Sequence, residues 1–286
     1  MAVTSRRSSA SGCSKRTEQF GFRIVQRGET VPTGDALVTY EAFAPYYDAF
    51  TRDYQYESWM SDIDAWAREC GLAGRRLLDA ACGTGNSFIP MLDRGYEVVA
   101  CDLSPAMVSR ARRKANGRAE VVVADLRALP WCERFDLVTC VDDSLNYLLS
   151  TADLVAALRS IHDALEPGGL AAFDFNSLSA YRTTWAGDFT LEAGHRRFRW
   201  RGEGSEHMPP GGLASATIEL LAAGETLVTR SRHVQRHHSI ETIELACSEV
   251  GLEVIEMRGE SPEEGLVPEP DEDAHLKIAC MARRRK

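Results

Sequence analysis

The chain has 286 residues, of which 44% are hydrophobic and 26% charged, with 33 Lys and Arg against 42 Asp and Glu and a net charge of -9. That length buries a substantial core in one large or two small domains, and the acidic balance argues against a general nucleic-acid binder, which needs a basic face. No run of about 18 apolar residues is present, so nothing reads as membrane-spanning; the eight cysteines lack a C-x-x-C pair and read as reduced thiols of a cytoplasmic protein, with no metal site.

Residues 1–36 are rich in Ser, Arg, Lys and Gly without an apolar stretch, and read as a disordered extension rather than a secretory signal. Residues 37–286 read as one domain. Its first part, 37–74, carries Tyr40, Phe43, Tyr46, Tyr47, Phe50, Tyr54, Tyr56, Trp59 and Trp66 near i, i+3 and i+4 spacing, the pattern of amphipathic helices lying on a core as a lid. Between 75 and 176 the chain alternates apolar strands with helical segments. A strand over 77–81 breaks into the turn Ala81-Cys82-Gly83-Thr84-Gly85 and a helix follows from Asn86 to Arg94. A strand over 97–101 ends at Asp102, and the next helix opens at Ser104-Pro105, with Ser104 placed as N-cap and Pro105 in the first turn. Strands over 120–124 and 135–140 end at Asp125 and at Val141-Asp142; a helix over 152–165 stops at Pro167-Gly168-Gly169 before a strand over 170–175. This alternation predicts a doubly wound α/β fold with a mostly parallel sheet covered on both faces.

The rhythm breaks over 177–238, where strands at 189–200, 213–221 and 226–235, joined by Gly- and Pro-containing turns, predict an antiparallel insert beside a substrate cleft. A helix over 239–250 and apolar runs at 252–257 and 275–281 then complete the parent sheet as a terminal hairpin, giving seven strands. Ligands of such sheets sit at the carboxyl ends of the strands. Gly83 and Gly85 allow backbone to approach a ligand closely, and Asp102 at the next strand end can accept both hydroxyls of a ribose. A dinucleotide site wants a third glycine where this chain has Phe88, so a nucleoside without pyrophosphate fits better.

Five ordered segments, D-x-A-C-G-T-G-N from Asp79, V-V-A-C-D-L-S-P-A-M from Val98, V-V-A-D-L-R from Val122, F-D-L-V-T-C from Phe135 and L-E-P-G-G from Leu165, resemble class I S-adenosylmethionine-dependent methyltransferases over about Tyr40 to the C-terminus. The resemblance implies S-adenosylmethionine as cofactor. It implies that Ala81, Gly83 and Gly85 line the cofactor, that Asp79 orients their loop or reaches the cofactor's amino group through water, that Asp102 with Leu103 takes the ribose, and that Asp125 takes the adenine amine beside Leu126. Val141 lies along the same site, and a lid aromatic, Tyr47, Tyr54 or Trp59, covers the cofactor. Asn146 and Tyr147 fall at the mouth of the methyl-transfer site as candidate catalytic residues, while Asp142 and Asp143 either cap the next helix or hold an acceptor ammonium. Lid and insert together resemble the small-molecule branch that modifies amino sugars and natural products. N-methylation is favoured over O-methylation, although several sugar N-methyltransferases carry a histidine where this chain has Asn146-Tyr147.

The insert also carries His195, Arg196, Arg197, Arg199, Arg201, Arg230, Arg232, His233, Arg236, His237 and His238. They read either as charged, solvated strand edges or as a site for an anionic acceptor, with His233 or His237 as base. A methyltransferase for RNA or protein, and a non-catalytic S-adenosylmethionine-binding protein, stand as alternatives. The acidic composition counts against nucleic acid as partner, and the oligomeric state is open, a dimer included.

Overall fold

The computed structural model describes residues 36–286, His195 excepted; the reading of 1–36 as disordered therefore lies, but for Ala36, outside the described residues. The N-terminal layer comprises α1 (Ala36–Phe43), α2 (Tyr47–Phe50) and α3 (Tyr56–Glu69). The alternating core follows as β1 (Arg76–Ala80), α4 (Phe88–Asp93), β2 (Glu97–Asp102), α5 (Pro105–Ala115), β3 (Glu120–Val123), β4 (Phe135–Cys140), α6 (Thr151–Ala164) and β5 (Leu165–Asn176). Then come α7 (Leu178–Arg182), β6 (Asp188–Ala193), β7 (Arg196–Gly202), β8 (Leu213–Ala222) and β9 (Thr226–Arg236). The chain ends with α8 (Ile240–Val250), β10 (Leu252–Ser261), β11 (Gly265–Pro268) and β12 (Lys277–Arg284).

One sheet has the order β11-β10-β12-β5-β4-β1-β2-β3. Its β5-β4-β1-β2-β3 half is parallel, and β12, β10 and β11 are added through antiparallel pairings. Side chains alternate between two cores, as the period of a strand requires. Leu78, Ala80, Val99 and Cys101 face α6 and α8, whereas Leu77, Val98 and Ala100 face α3, α4 and α5. The helices start where short polar side chains can take an orphan N–H: Ser104, Ser150 and Ser239 accept from Met107, Asp153 and Thr242. Gly251, at φ 88°, ends α8 in the left-handed conformation.

A second, antiparallel sheet has the order β6-β7-β8-β9. One face buries Phe198, Trp200, Ala216, Ile218 and Leu220 against Tyr181, Trp185 and the lid residue Phe43. Three expectations need correction. The large sheet has eight strands, because Gly265–Pro268 pairs with the outer strand β10. The strand expected over 189–200 is a hairpin turning at Gly194, whose φ of 64° reverses the chain. Pro167-Gly168-Gly169 lies inside β5, where the pairing with β4 shifts register. No helix among the described residues is long and apolar enough to cross a membrane.

Candidate active site

At the carboxyl edge of the large sheet lies a cavity of ≈ 480 Å³, walled by the turns after β1, β2, β3 and β4 and by the lid. After β1 the backbone enters the left-handed region at Ala81 (φ 59°) and Gly83 (φ 54°). The Gly83 N–H donates to Asp102 Oδ2 at 2.8 Å, and the Ser104 N–H donates to Oδ1 at 2.9 Å. Asp102 thereby fixes two loops and still faces the cavity. Burial pushes its carboxyl above the ordinary range, with the Ser104 and Gly83 N–H groups pulling the other way. Gly83 supplies a direct test of fit for a nucleoside. A Cβ built there meets nothing nearer than the Tyr47 ring at 3.8 Å, so the glycine keeps open the gap between floor and lid.

Asp125 faces the cavity after β3, but in a different state from a bare acceptor. Arg127 forks onto it, with Nε to Oδ1 at 3.0 Å and Nη2 to Oδ2 at 2.7 Å, and extends Nη1 to Asp153 at 2.9 Å. Burial opposes ionisation of Asp125, yet the Arg127 bonds hold its carboxyl below the ordinary value. The lid is bonded to this framework: Asp48 accepts from Thr84 Oγ1 at 2.5 Å and from Lys114 Nζ at 3.0 Å, and Glu41 accepts from Ser104 Oγ and the Ala106 N–H.

At the β4 end, Tyr47 and Tyr56 donate their hydroxyls to Asp142 Oδ2 at 2.6 and 2.9 Å. Asp142 and Asp143 are both left-handed, at φ 63° and 51°, and both of their N–H groups are received by the Asp174 carboxylate. Behind them the buried Lys277 Nζ stands 3.2 Å from Asp142 and 2.8 Å from the Tyr54 hydroxyl. A second chain runs from Tyr40 to Tyr147 (2.9 Å), on to His233 Nδ1 (2.8 Å), with His233 Nε2 3.0 Å from Ser231 Oγ. Burial pushes the phenols of Tyr40 and Tyr47 well up, so they remain neutral. It also pushes His233 down to about 3, which keeps that imidazole neutral.

Of the expected residues, Tyr47, Ala81, Gly83, Asp102, Leu103, Asp125, Leu126, Val141 and Tyr147 line the cavity. The others stand elsewhere. Trp59 is packed in the core with Met60, Ile63 and Phe88. Asp79 is buried beneath the loop, accepting from Ser87 Oγ and Thr139 Oγ1, and is pushed up to about 6 by burial. Gly85 answers to packing, because a Cβ there would meet the Phe88 ring at 2.7 Å. Asn146 is fully buried and ties the post-β4 turn to the insert, donating to the Arg236 carbonyl and accepting the Asn176 N–H. His233 sits behind Tyr147, outside the lining. The insert arginines also stay outside it. Several pair with acids, Arg197 and Arg199 with Glu225, Arg230 with Glu219, Arg232 with Glu203, while Arg236 donates to the Leu149 and Gly211 carbonyls and Arg196 lies over the Tyr46 ring. His195 lies outside the described residues. Reading the sequence missed Arg127, Tyr56 and Lys277; the lid aromatics contained Tyr56, but nothing local marks Lys277.

Residues 77–169 match the family described as a methyltransferase domain. The chain is 30% identical over 194 residues to dTDP-3-amino-3,6-dideoxy-alpha-D-glucopyranose N,N-dimethyltransferase of Streptomyces fradiae, covering 68% of this chain and 64% of that one. It spans a little over half the length of further curated relatives from Geobacillus and Bacillus subtilis. Among solved structures, an S-adenosylmethionine-dependent methyltransferase from Clostridium acetobutylicum is similar at a TM-score of 0.72 and 25% identity, over 86% of this chain and 99% of that one. A sugar N-methyltransferase from Streptoalloteichus is similar at 0.68 and 25%, over 91% and 98%. With the five ordered segments and the glycine turn opposite Asp102, these likenesses identify residues 77–169 as a methyltransferase domain, on a fold shared with S-adenosylmethionine-dependent methyltransferases.

Proposed function

We propose that the protein transfers a methyl group from S-adenosylmethionine to a nitrogen of a small-molecule amine. The observation that carries this reading is the cavity itself, with Gly83 as its floor, Asp102 and Asp125 on one flank and lid tyrosines opposite. When bound, the cofactor supplies an already activated methyl on a sulfonium. What is left to the chain is to hold, orient and exclude water, contributions of several orders of magnitude in rate. Asp102 accepts the ribose hydroxyls, the backbone around Leu126 and the Asp125 carboxylate meet the adenine, and Tyr40 and Tyr147 border the acceptor.

An amine suits this site because its lone pair, once neutral, needs no base. His233 is a poor base where it stands, being buried and neutral behind Tyr147. The only cation lining the cavity among the described residues is Arg127, already forked on Asp125 and Asp153, which favours an uncharged or cationic acceptor over an anion. The two sugar-modifying relatives support the same substrate class. Incubation with S-adenosylmethionine and a panel of amino sugars, amino acids and matched hydroxy compounds tests it. Release of S-adenosylhomocysteine with amines alone is expected; turnover only with hydroxy or carboxylate acceptors would overturn the nitrogen assignment.

A further inference from the structure

One wall of the cavity is held from behind by the antiparallel insert. After β4 a short helical turn, Ser144–Tyr147, runs into Leu148 and Leu149 before Ser150 caps α6. Tyr147, Leu148 and Leu149 line the cavity. Each of the four residues 146–149 is hydrogen-bonded to β9 or to His238 just beyond it. Asn146 Nδ2 donates to the Arg236 carbonyl at 2.9 Å, and the Tyr147 hydroxyl stands 2.8 Å from His233 Nδ1. His238 Nε2–H donates to the Leu148 carbonyl at 2.9 Å, and Arg236 Nε donates to the Leu149 carbonyl at 2.6 Å. Asn146, His233, Arg236 and His238 all stand outside the lining.

Leu148 and Leu149 carry apolar side chains, and apolar packing has no direction of its own. Their carbonyls belong to no helix or strand ladder, yet such groups need partners. The insert supplies them, and so fixes where both residues stand. Arg236 also donates from Nη1 to the Gly211 carbonyl at 2.7 Å. One planar guanidinium thus spans from the turn before β8 to the cavity wall, which a lysine ammonium has no fork to do. The grip has a firm base: the His237 N–H donates to the Gly212 carbonyl, and His237 Nε2 stands 2.9 Å from Glu272 Oε1. Leu149 adjoins Ser150, whose Oγ donates to Asp153 at 2.7 Å, and Asp153 takes Arg127, the partner of Asp125. This wall therefore lies at the end where the proposed function puts the base, while Tyr147 borders the acceptor.

We propose that the insert controls how the nucleoside is held: Arg236, with His238 beside it, is a positioning residue that fixes Leu148 and Leu149 against the base from outside the cavity. Because His233 on the same strand backs Tyr147, a shift of β9 moves the acceptor mouth and the nucleoside wall together. The proposal rests on the cofactor reading above, and it concerns side chains that never touch the cofactor.

Calorimetry on the full chain tests it with S-adenosylhomocysteine and with 5′-methylthioadenosine, which keeps base and ribose but lacks the amino-acid tail. Arg236→Met removes both side-chain bonds and leaves the backbone carbonyl to Asn146. It should bind both nucleosides about tenfold more weakly, the scale of one lost hydrogen bond to a charged group. Arg182→Met is the control, because Arg182 also donates to a carbonyl of the insert, that of Met208. It should keep both affinities within about twofold, as expected of a site that shares no partner with the wall. Unchanged affinity in folded Arg236→Met, an equal loss in Arg182→Met, or a loss confined to S-adenosylhomocysteine overturns the assignment. If Arg236→Met does not fold, amide exchange on wild type decides. S-adenosylhomocysteine should then slow exchange in 146–149 and 232–238 together, and protection confined to 146–149 overturns it equally. Wild type that binds neither nucleoside loses the cofactor reading and this proposal with it, a result distinct from binding that Arg236 does not influence.

Discussion

Asp102 carries two loads at once. Its oxygens hold the Gly83 and Ser104 N–H groups, and its carboxylate faces the cavity where the proposed function puts a ribose. Asp102→Ala should therefore weaken binding of S-adenosylhomocysteine by about 1–3 kcal/mol, the scale of hydrogen bonds to a charged group; unchanged calorimetric affinity would contradict the role. Gly83 and Gly85, equal in the sequence motif, differ in physical cause. Gly83 leaves space beneath Tyr47, whereas Gly85 makes room for Phe88, the residue that replaces a dinucleotide site's third glycine. The motif marks both positions because positive φ and missing Cβ look alike in a sequence whether a ligand or a ring fills the space.

Among the elements, those whose signal is local are the ones the sequence displays. β1, β2 and β4 are strands of five or six residues, each largely apolar and buried and ending at the site, and α5, α6 and α8 each begin at a serine that caps them. Ser239 lies outside the cavity lining, so Ser239→Ala should cost about 1 kcal/mol in urea unfolding through the lost cap and leave nucleoside affinity unchanged; a parallel drop in affinity would show that α8 reaches the site. What escapes the sequence is made by pairing between distant segments. Lys277 reaches Asp142 only because β12 pairs antiparallel with β5, setting Lys277 against Asn176. His233 looks like a candidate base on a strand, yet packing between β9 and the lid removes its water and with it its proton affinity. Arg197, Arg230 and Arg232 alternate on strands as an anion site would, but their partners are glutamates contributed by neighbouring strands and turns.

At the scale of the whole molecule, stability should respond to a carboxyl that lies outside the cavity lining. Asp79 is pushed up to about 6 by burial, against the bonds from Ser87 and Thr139. The native state then holds a proton that the unfolded chain, with an aspartate near pH 4, has already released. Its contribution therefore favours the fold at low pH and is withdrawn as pH rises from about 4 through about 6, by on the order of 2–3 kcal/mol. Paired acids such as Asp136 and Asp153, held low by their hydrogen-bond partners, act in the opposite sense. The difference between wild type and Asp79→Asn isolates the effect. Urea midpoints measured at about pH 4.5 and pH 7 should show wild type losing ground to the variant on going to the higher pH, and a constant difference would rule the linkage out.

The eight residues of α1 bond to three parts of the chain remote in sequence: Glu41 to Ser104 and Ala106, Thr39 to the Arg232 carbonyl, and Tyr40 to Tyr147. A lone peptide of that length has no helical stability of its own in water. Its coiling is thus borrowed from the anchors around it, and because Ala36, Leu37 and Tyr40 line the cavity, loss of an anchor would loosen a wall of the chamber along with the helix.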